Sequence, residues 1–307
     1  MAHVQTMLAL VEGGSIRAAA ELVGKTQSTL TKQLQQMEEE LGLSLFQRNA
    51  KGISPTDAGL SLLARARSID AEFKRFNQEA AHLRGEQTGT LSVSVAPLVA
   101  VKILARSLAR FHTKFPDIDV AISSSLFGDA LKALREGVHD IIVGPHGAEG
   151  NQNDLASEEL FSTEMVLITS RKAKHANAAS LGELLDCNWA MMGDKTGLPR
   201  RRFLNQFSRL DLEPPRIRWA SESRSGVLAV VEEMDAVCSY PKRLLEETPN
   251  RENIVQIPIK ETLTPLKIHM LTRAGQSLTP AGEEFANCIR HRVGVVVREW
   301  DGNALKA

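Results

Sequence analysis

Three apolar ladders open the chain. Val4, Met7, Leu8 and Val11 fall at i, i+3, i+4 and i+7, and so do Ile16, Ala19, Ala20 and Val23. Leu30, Leu34, Met37 and Leu41 continue at spacings of four, three and four. Each ladder puts one apolar face on a short helix. The breaks between them have physical causes. Gly13-Gly14 ends the first helix, Ser15 caps the second, Gly24-Lys25 and then Thr26 open the third, and Gly42 closes it. Small Ala18, Ala19 and Ala20 let the second helix lie close against the third. The pattern predicts a helix-turn-helix followed by a wing, over residues 1–56.

The period then changes. After Thr56-Asp57, the residues Leu62, Ala66, Ile69, Phe73, Phe76, Ala80 and Leu83 alternate spacings of four and three, the a/d seam of a helix over 57–84. Such a seam most naturally meets a second copy of itself, which makes these seven the expected dimerisation residues. An amphipathic helix lying on its own domain would satisfy the same spacing. Residues 85–89, GEQTG, read as a hinge.

From residue 90 onward strands and helices alternate. Strands are expected at 91–97, 119–123 and 139–145, with a helix through Phe115 and another over 128–136. A second set has strands at 165–170, 188–192, 216–221 and 235–240, with helices near 181–185, 198–209 and 224–233. A strand at 267–272 and a closing helix near 280–298 return to the first set. This order predicts largely parallel sheets in two α/β lobes, about 90–161 with 266–300, and about 164–260. Crossings near 161–164 and 258–265 would join the lobes as a hinged clamshell.

Composition alters this picture little. A chain of 307 residues, 43% hydrophobic and 24% charged, suits more than one globular domain. Lys plus Arg equals Asp plus Glu at 37 each, so no global basic charge points to nucleic acid. Local placement is more informative. Arg17, Lys25, Lys32, Arg48 and Lys51 lie mainly at the turn, the third helix and the wing, whereas Glu12, Glu21 and Glu38–Glu40 lie mainly at helix ends away from them. Cys187, Cys238 and Cys288 are isolated, which fits neither a disulfide framework nor a zinc site and suggests a reducing compartment. No signal-like segment opens the sequence and no apolar run reaches membrane-spanning length, so a cytoplasmic location is expected. No metal or cofactor is expected.

The polar residues of the third helix carry the candidate chemistry. Gln27, Ser28, Thr31, Lys32 and Gln35 lie opposite Leu30, Leu34 and Met37, with Thr26 at the cap. That face could enter a DNA major groove, where Gln27 can pair with an adenine edge and Lys32 with guanine acceptors. Arg48, and with it Lys51, would contact phosphate or the minor groove from the wing.

Residues 15–59 resemble the DNA-binding signature of LysR-type transcriptional regulators. The resemblance rests on Ala18-Ala19-Ala20, Leu22, Thr26-Gln27, Leu30, Lys32-Gln33, Glu38–Gly42, Leu45-Phe46, Arg48, Ser54-Pro55-Thr56 and Ala58-Gly59. It implies a multi-domain fold, with an all-α winged helix-turn-helix, a long linker helix and a two-lobed, periplasmic-binding-protein-like α/β effector domain. It also implies double-stranded promoter DNA and a small-molecule effector between the lobes as partners, and a homodimer or homotetramer; backbone N–H groups at helix starts after Pro97 and near Thr196 would suit an organic acid as that effector. Two positions depart from the family. Ser28 stands where Pro often follows the Gln of the recognition helix. Ala96 precedes Pro97 where many relatives place a hydroxyl for an anionic ligand.

Ligands of open α/β sheets bind beyond the carboxyl ends of parallel strands. By that rule the effector candidates are Pro97, Leu98, Val99, Ser124, Ser125, His146, Thr196, Ser221, Ser223 and Tyr240. A protonated His146 could add a charge-assisted bond, and Ser221 and Ser223 could equally be helix caps. Arg200-Arg201-Arg202 read more readily as a solvated face than as an anion site. Enzyme motifs are missing: no GxSxG, HExxH, CxxC or phosphate-loop pattern occurs. A regulator therefore fits better than an enzyme. A small-molecule carrier whose first module does not read DNA is the alternative.

Overall fold

The computed structural model describes residues 1–49, 52–124, 128–146, 153–193, 198–249 and 251–304. They form two compact units, Met1–Glu86 with Ala133–Val138, and Gln87–Lys132 with His139–Ala307.

In the first unit, α1 (Ala2–Gly13), α2 (Ile16–Leu22) and α3 (Gln27–Leu41) precede a hairpin of β1 (Phe46–Asn49) and β2 (Gly52–Pro55), and then the long α4 (Asp57–Leu83). The caps are those the sequence marks. Ser15 accepts from the Ala18 N–H, Thr26 from Thr29 and Thr56 from Gly59, while Gly14 and Gly42 take left-handed backbone at helix ends. Leu10, Ala19, Leu30, Met37 and Leu45 are fully buried in one core. Leu41, the last rung of the third ladder, is 47% exposed, because the helix ends there at Gly42. Gly59 lies so close to the Leu45 carbonyl that no Cβ fits between them.

The second unit holds two five-stranded sheets. Leading into and through the first are β3 (Gly89–Val95), α5 (Pro97–Val99), a π turn at Ala100–Leu104, α6 (Ala105–Lys114), β4 (Ile118–Ser123), α7 (Gly128–Arg135, its residues from Ala133 onward grouped with the first unit), β5 (Ile141–Pro145) and β6 (Leu155–Thr163). The second follows with β7 (Met165–Ser170), β8 (Trp189–Met192), α8 (Leu198–Ser208), β9 (Ile217–Ser221), α9 (Arg224–Glu233), β10 (Val237–Pro241), α10 (Lys242–Glu246) and β11 (Ile254–Ile257). Strand β12 (Leu266–Arg273) then rejoins the first sheet, and α11 (Pro280–Ala304) closes the chain. The sheet orders are β4-β3-β5-β12-β6 and β11-β7-β10-β8-β9.

Neither sheet is largely parallel, contrary to expectation. β3 runs parallel to β4 and β5, but β12 is antiparallel to both β5 and β6. Likewise β8 is parallel to β9 and β10, while β7 is antiparallel to β10 and β11. The antiparallel strands flank the crossings, where the chain leaves one sheet after Thr163 and returns at Leu266. Two of them, β6 and β11, were not anticipated, and the helix expected near 181–185 is a single 3-10 turn, Gly182–Leu184. One core runs under α5, α6, α9 and α11, where Phe111 and Phe285 meet edge to face. Another lies on the α8 face of the second sheet, around Trp189, Phe203 and Phe207. Among the described residues no helix is long and apolar enough to cross a membrane.

Candidate functional site

The polar side of α3 faces outward. Thr26, Gln27, Ser28, Lys32 and Gln35 are exposed and Thr31 is half-buried, above a floor of buried Leu30, Leu34 and Met37. The start of the helix is tightly bonded. The Thr26 hydroxyl meets those of Ser28 and Thr29 at 3.0 and 2.8 Å, and Thr31 donates to the Gln27 carbonyl at 2.9 Å. Lys25 donates to Gln33 at 3.0 Å, so it braces the turn rather than standing free. Gln27, Lys32 and Gln35 are thus long, exposed polar side chains on a helix anchored at its start.

The wing is fastened to the same helix. The Glu38 carboxylate accepts from the backbone N–H groups of Leu45 and Phe46 at 2.6 and 3.0 Å. Ile53 donates to the Gly14 carbonyl, and Thr56 bonds Leu45 and Ser44. Arg48 is exposed on β1, opposite Ile53 in the hairpin register. Lys51 lies outside the described residues.

In the second unit an open cleft of about 460 Å³ is lined by Pro97, Ala100, Val101, Ser124, Glu222, Ser223 and Arg224. Its walls come from the ends of β3, β4 and β9 and the start of α9. Ala100 and Val101 belong to the π turn, an irregularity often found at functional sites. Arg224 is half-buried, and its guanidinium is held from below, donating to the Tyr240 hydroxyl at 3.2 Å and to Thr248 at 3.0 Å. Thr248 in turn donates to the Leu244 carbonyl. A cation fixed in this way keeps its orientation before any ligand arrives.

Comparison with known proteins settles the class. The model of the LysR substrate binding domain matches residues 84–294, and that of the bacterial regulatory helix-turn-helix protein, lysR family, matches residues 1–60. The chain belongs to the LysR family. Members are DNA-binding transcriptional regulators rather than enzymes. The HTH-type transcriptional regulator TdcA of Escherichia coli is 28% identical over 189 residues, which is 62% of this chain and 61% of that protein. The HTH-type transcriptional regulator GalR of Pseudomonas putida is 24% identical over 94% of this chain and 72% of its own. The crystal structure of CbnR, a LysR family transcriptional regulator, shares the fold with a TM-score of 0.67 and 21% identity, covering 95% of this chain and 98% of CbnR.

Within this LysR chain the expected effector residues divide into three groups. Pro97, Ser124 and Ser223 line the cleft together. Ser125 and Thr196 lie outside the described residues. The others serve elsewhere. Leu98 and Val99 are buried in the core, because their helix turns them inward. Tyr240 is fully buried and reaches the cleft only through Arg224. Ser221 accepts from the Ser223 N–H in a local turn, and Ser223 also caps α9.

His146 sits with His269, ring centroids 5.2 Å apart, and does not line the cleft. Burial, His269 and Arg202 together hold its pKa below the ordinary 6.5, which opposes the charge-assisted bond expected of it. Arg202 is not a solvated helix face either, since it donates to the His146 carbonyl at 2.7 Å. On α4, Ala66 and Leu62 pack into the winged-helix core, so the seam does not run free along its full length. Ile69, Phe73, Phe76 and Leu83 are 49, 41, 70 and 79% exposed.

Two residues of the candidate sites are not marked as such by the sequence, Arg224 on the cleft and Glu38 under the wing. A lone arginine at a helix start looks solvated, and nothing in the sequence links it to Tyr240. Glu38 could have been suspected, as the first acid of a run placed seven residues before buried Leu45.

Proposed function

We propose that this chain controls promoter activity by binding DNA through α3 and the wing, and alters that contact when a small organic anion occupies the cleft beside Arg224. The observation that carries the DNA reading is the exposed row Gln27, Lys32 and Gln35 on a helix whose opposite side is locked in a core. A bidentate side chain on a base edge is worth about 1–3 kcal/mol of discrimination. Gln27 and Lys32 read bases, Arg48 meets phosphate or the minor groove, and Thr26, Ser28 and Thr31 meet the backbone. A cytoplasmic location follows from this role.

The chain works as a homodimer or homotetramer whose linker helices pair through Ile69, Phe73, Phe76 and Leu83. Two-fold related recognition helices then read an interrupted inverted repeat with half-sites spaced by one helical turn, roughly 34 Å, or a multiple of it. The effector acts by preferring one lobe arrangement, since only differential affinity can move a conformational equilibrium.

Lys32→Ala and Gln27→Ala should weaken binding to the regulated promoter far more than to random duplex, measured by fluorescence anisotropy at fixed salt. Equal losses on both DNAs would defeat the assignment of this face to base reading.

A further inference from the structure

Side chains of different chemistry tie the two lobes of the effector unit. On the α10 side, Lys102 of the π turn bonds the Glu247 carboxylate at 2.7 Å, and the Arg243 guanidinium lies 5.4 Å from the centre of the Trp300 ring of α11. On the α8 side, beside the crossings, Arg202 donates at 2.7 Å to the carbonyl of His146, the residue after β5. The first tie contains no histidine. The second is built on a pair of them, since the rings of His146 and of His269 on β12 meet edge to face with centroids 5.2 Å apart.

The groups around this pair do not neutralise it. His146, His269 and Arg202 are all half-buried, so water screens them only in part. Arg202 faces both rings from α8, and Lys267 faces His269 from its own strand. From β6, the Ser157 hydroxyl meets His269 Nδ1 at 2.9 Å. Glu159 also faces His269 from β6, but its carboxylate is already bonded to Lys267 at 2.8 Å. A proton added to either ring therefore joins the fixed charge of Arg202.

We propose that His146, His269 and Arg202 form a proton-released latch between the lobes, closed while both imidazoles are neutral and opened when the pair takes up a proton. An imidazolium on either ring sets like charge against the guanidinium that crosses to the first lobe, and the repulsion acts on the bond to the His146 carbonyl. Moving α8 away separates the charges and returns the rings to water. Lys102 and Glu247 keep their tie, so the movement is a pivot about the α10 side. The closed form already disfavours the proton. Burial first, then His269 and Arg202, hold His146 below 6.5, and burial holds His269 below it against the pull of Glu159. The open form binds protons more readily, so acid favours opening from about 6.5 downward, toward the closed-form values. The proton is thus an input separate from any occupant of the cleft beside Arg224. Its effect on promoters, but not the latch itself, rests on the function proposed above.

Methyl NMR of the full-length protein, labelled at its eight methionines, tests the latch. Met165 and Met192 share a small cavity with Arg202 at the crossings, and Met7 and Met37 in the winged-helix core serve as references. Between about pH 8 and 5.5 the first two signals should move with a midpoint that matches the titration of the His146 ring, while the references stay. Arg202→Met, which removes the donor and keeps the length, should place both signals at alkaline pH where acid places them in the wild type. This outcome separates a latch from a field effect, because acid adds a positive charge and the substitution removes one. A field alone would move the signals in opposite directions. His146→Asn combined with His269→Asn should hold them at their alkaline positions throughout. The proposal is overturned by a wild type whose signals do not move, or by movement that survives the double substitution. It is equally overturned if the signals of Arg202→Met do not coincide with the acid positions. Cooperative thermal melts at alkaline pH show which variants are folded, and the double substitution tests the histidines without touching Arg202.

Discussion

Arg224 reaches the cleft with its guanidinium already bonded on one side. Hydrogen bonds to charged groups contribute about 1.5–3 kcal/mol. Arg224→Gln should therefore weaken an organic-acid effector by at least roughly tenfold, and should also lower the melting temperature modestly, because it takes a partner from the buried Tyr240 hydroxyl. Tyr240→Phe should give a smaller loss of about 1 kcal/mol by releasing the guanidinium. Calorimetry with an effector found by screening would check both, and unchanged affinity in Arg224→Gln would remove the residue from the site. At this scale the two sites differ in legibility. The exposed polar face of α3, the candidate for DNA reading, could be seen in the sequence because its residues share one helix and a fixed period. The cleft could be seen only in part: Pro97, Ser124 and Ser223 follow from the strand-end rule, but only tertiary structure decides that Leu98 turns into the core and that Arg224 joins them over Tyr240.

Among the elements, α4 has two roles along its length. Its first turns complete the winged-helix core through Leu63 and Ala66, and its later turns present Phe73 and Phe76 to solvent. Phe73→Asp should lower the sedimenting mass of the assembly, while the winged helix keeps its fold. An unchanged oligomer would move the contact elsewhere. Gly59→Ala tests the first turns, because its Cβ would meet the Leu45 carbonyl. Overpacking of this kind costs about 1–3 kcal/mol, which should appear as an earlier denaturant midpoint for the DNA-binding unit. The helices and their caps were readable because side-chain chemistry at the ends marks them. Strand β6 was not, because its sequence LASEELFST offers mostly exposed polar positions at a sheet edge. Its place is set by pairing with β12, about a hundred residues later.

For the molecule as a whole, acid should be destabilising in two stages. His139, His146, His175 and His269 all have pKa values held below the ordinary 6.5, with burial the largest cause in each. Below 6.5 the unfolded chain therefore binds more protons than the folded one, and stability falls as pH drops from there toward the folded values. Glu159 and Glu284, held down chiefly by hydrogen bonds from Lys267 and Lys114, add a second loss below about 4.5. Melting temperatures measured from pH 8 to 5 should decline on the acid side of about 6.5, and a flat profile would contradict the histidine environments. All four histidines belong to the effector unit.

The bond from Glu38 to the start of the wing has a consequence for promoters. Because α3 and the hairpin are bonded as one piece, the proposed contacts of the helix with bases and of the wing with the backbone or minor groove would keep a fixed register, built into the protein like the teeth of a key. A single base pair inserted between those two footprints cannot be absorbed by a sliding wing, so such insertions should be rare within half-sites. Length variation should collect in the spacer instead, where the flexibility of the assembly can take it up.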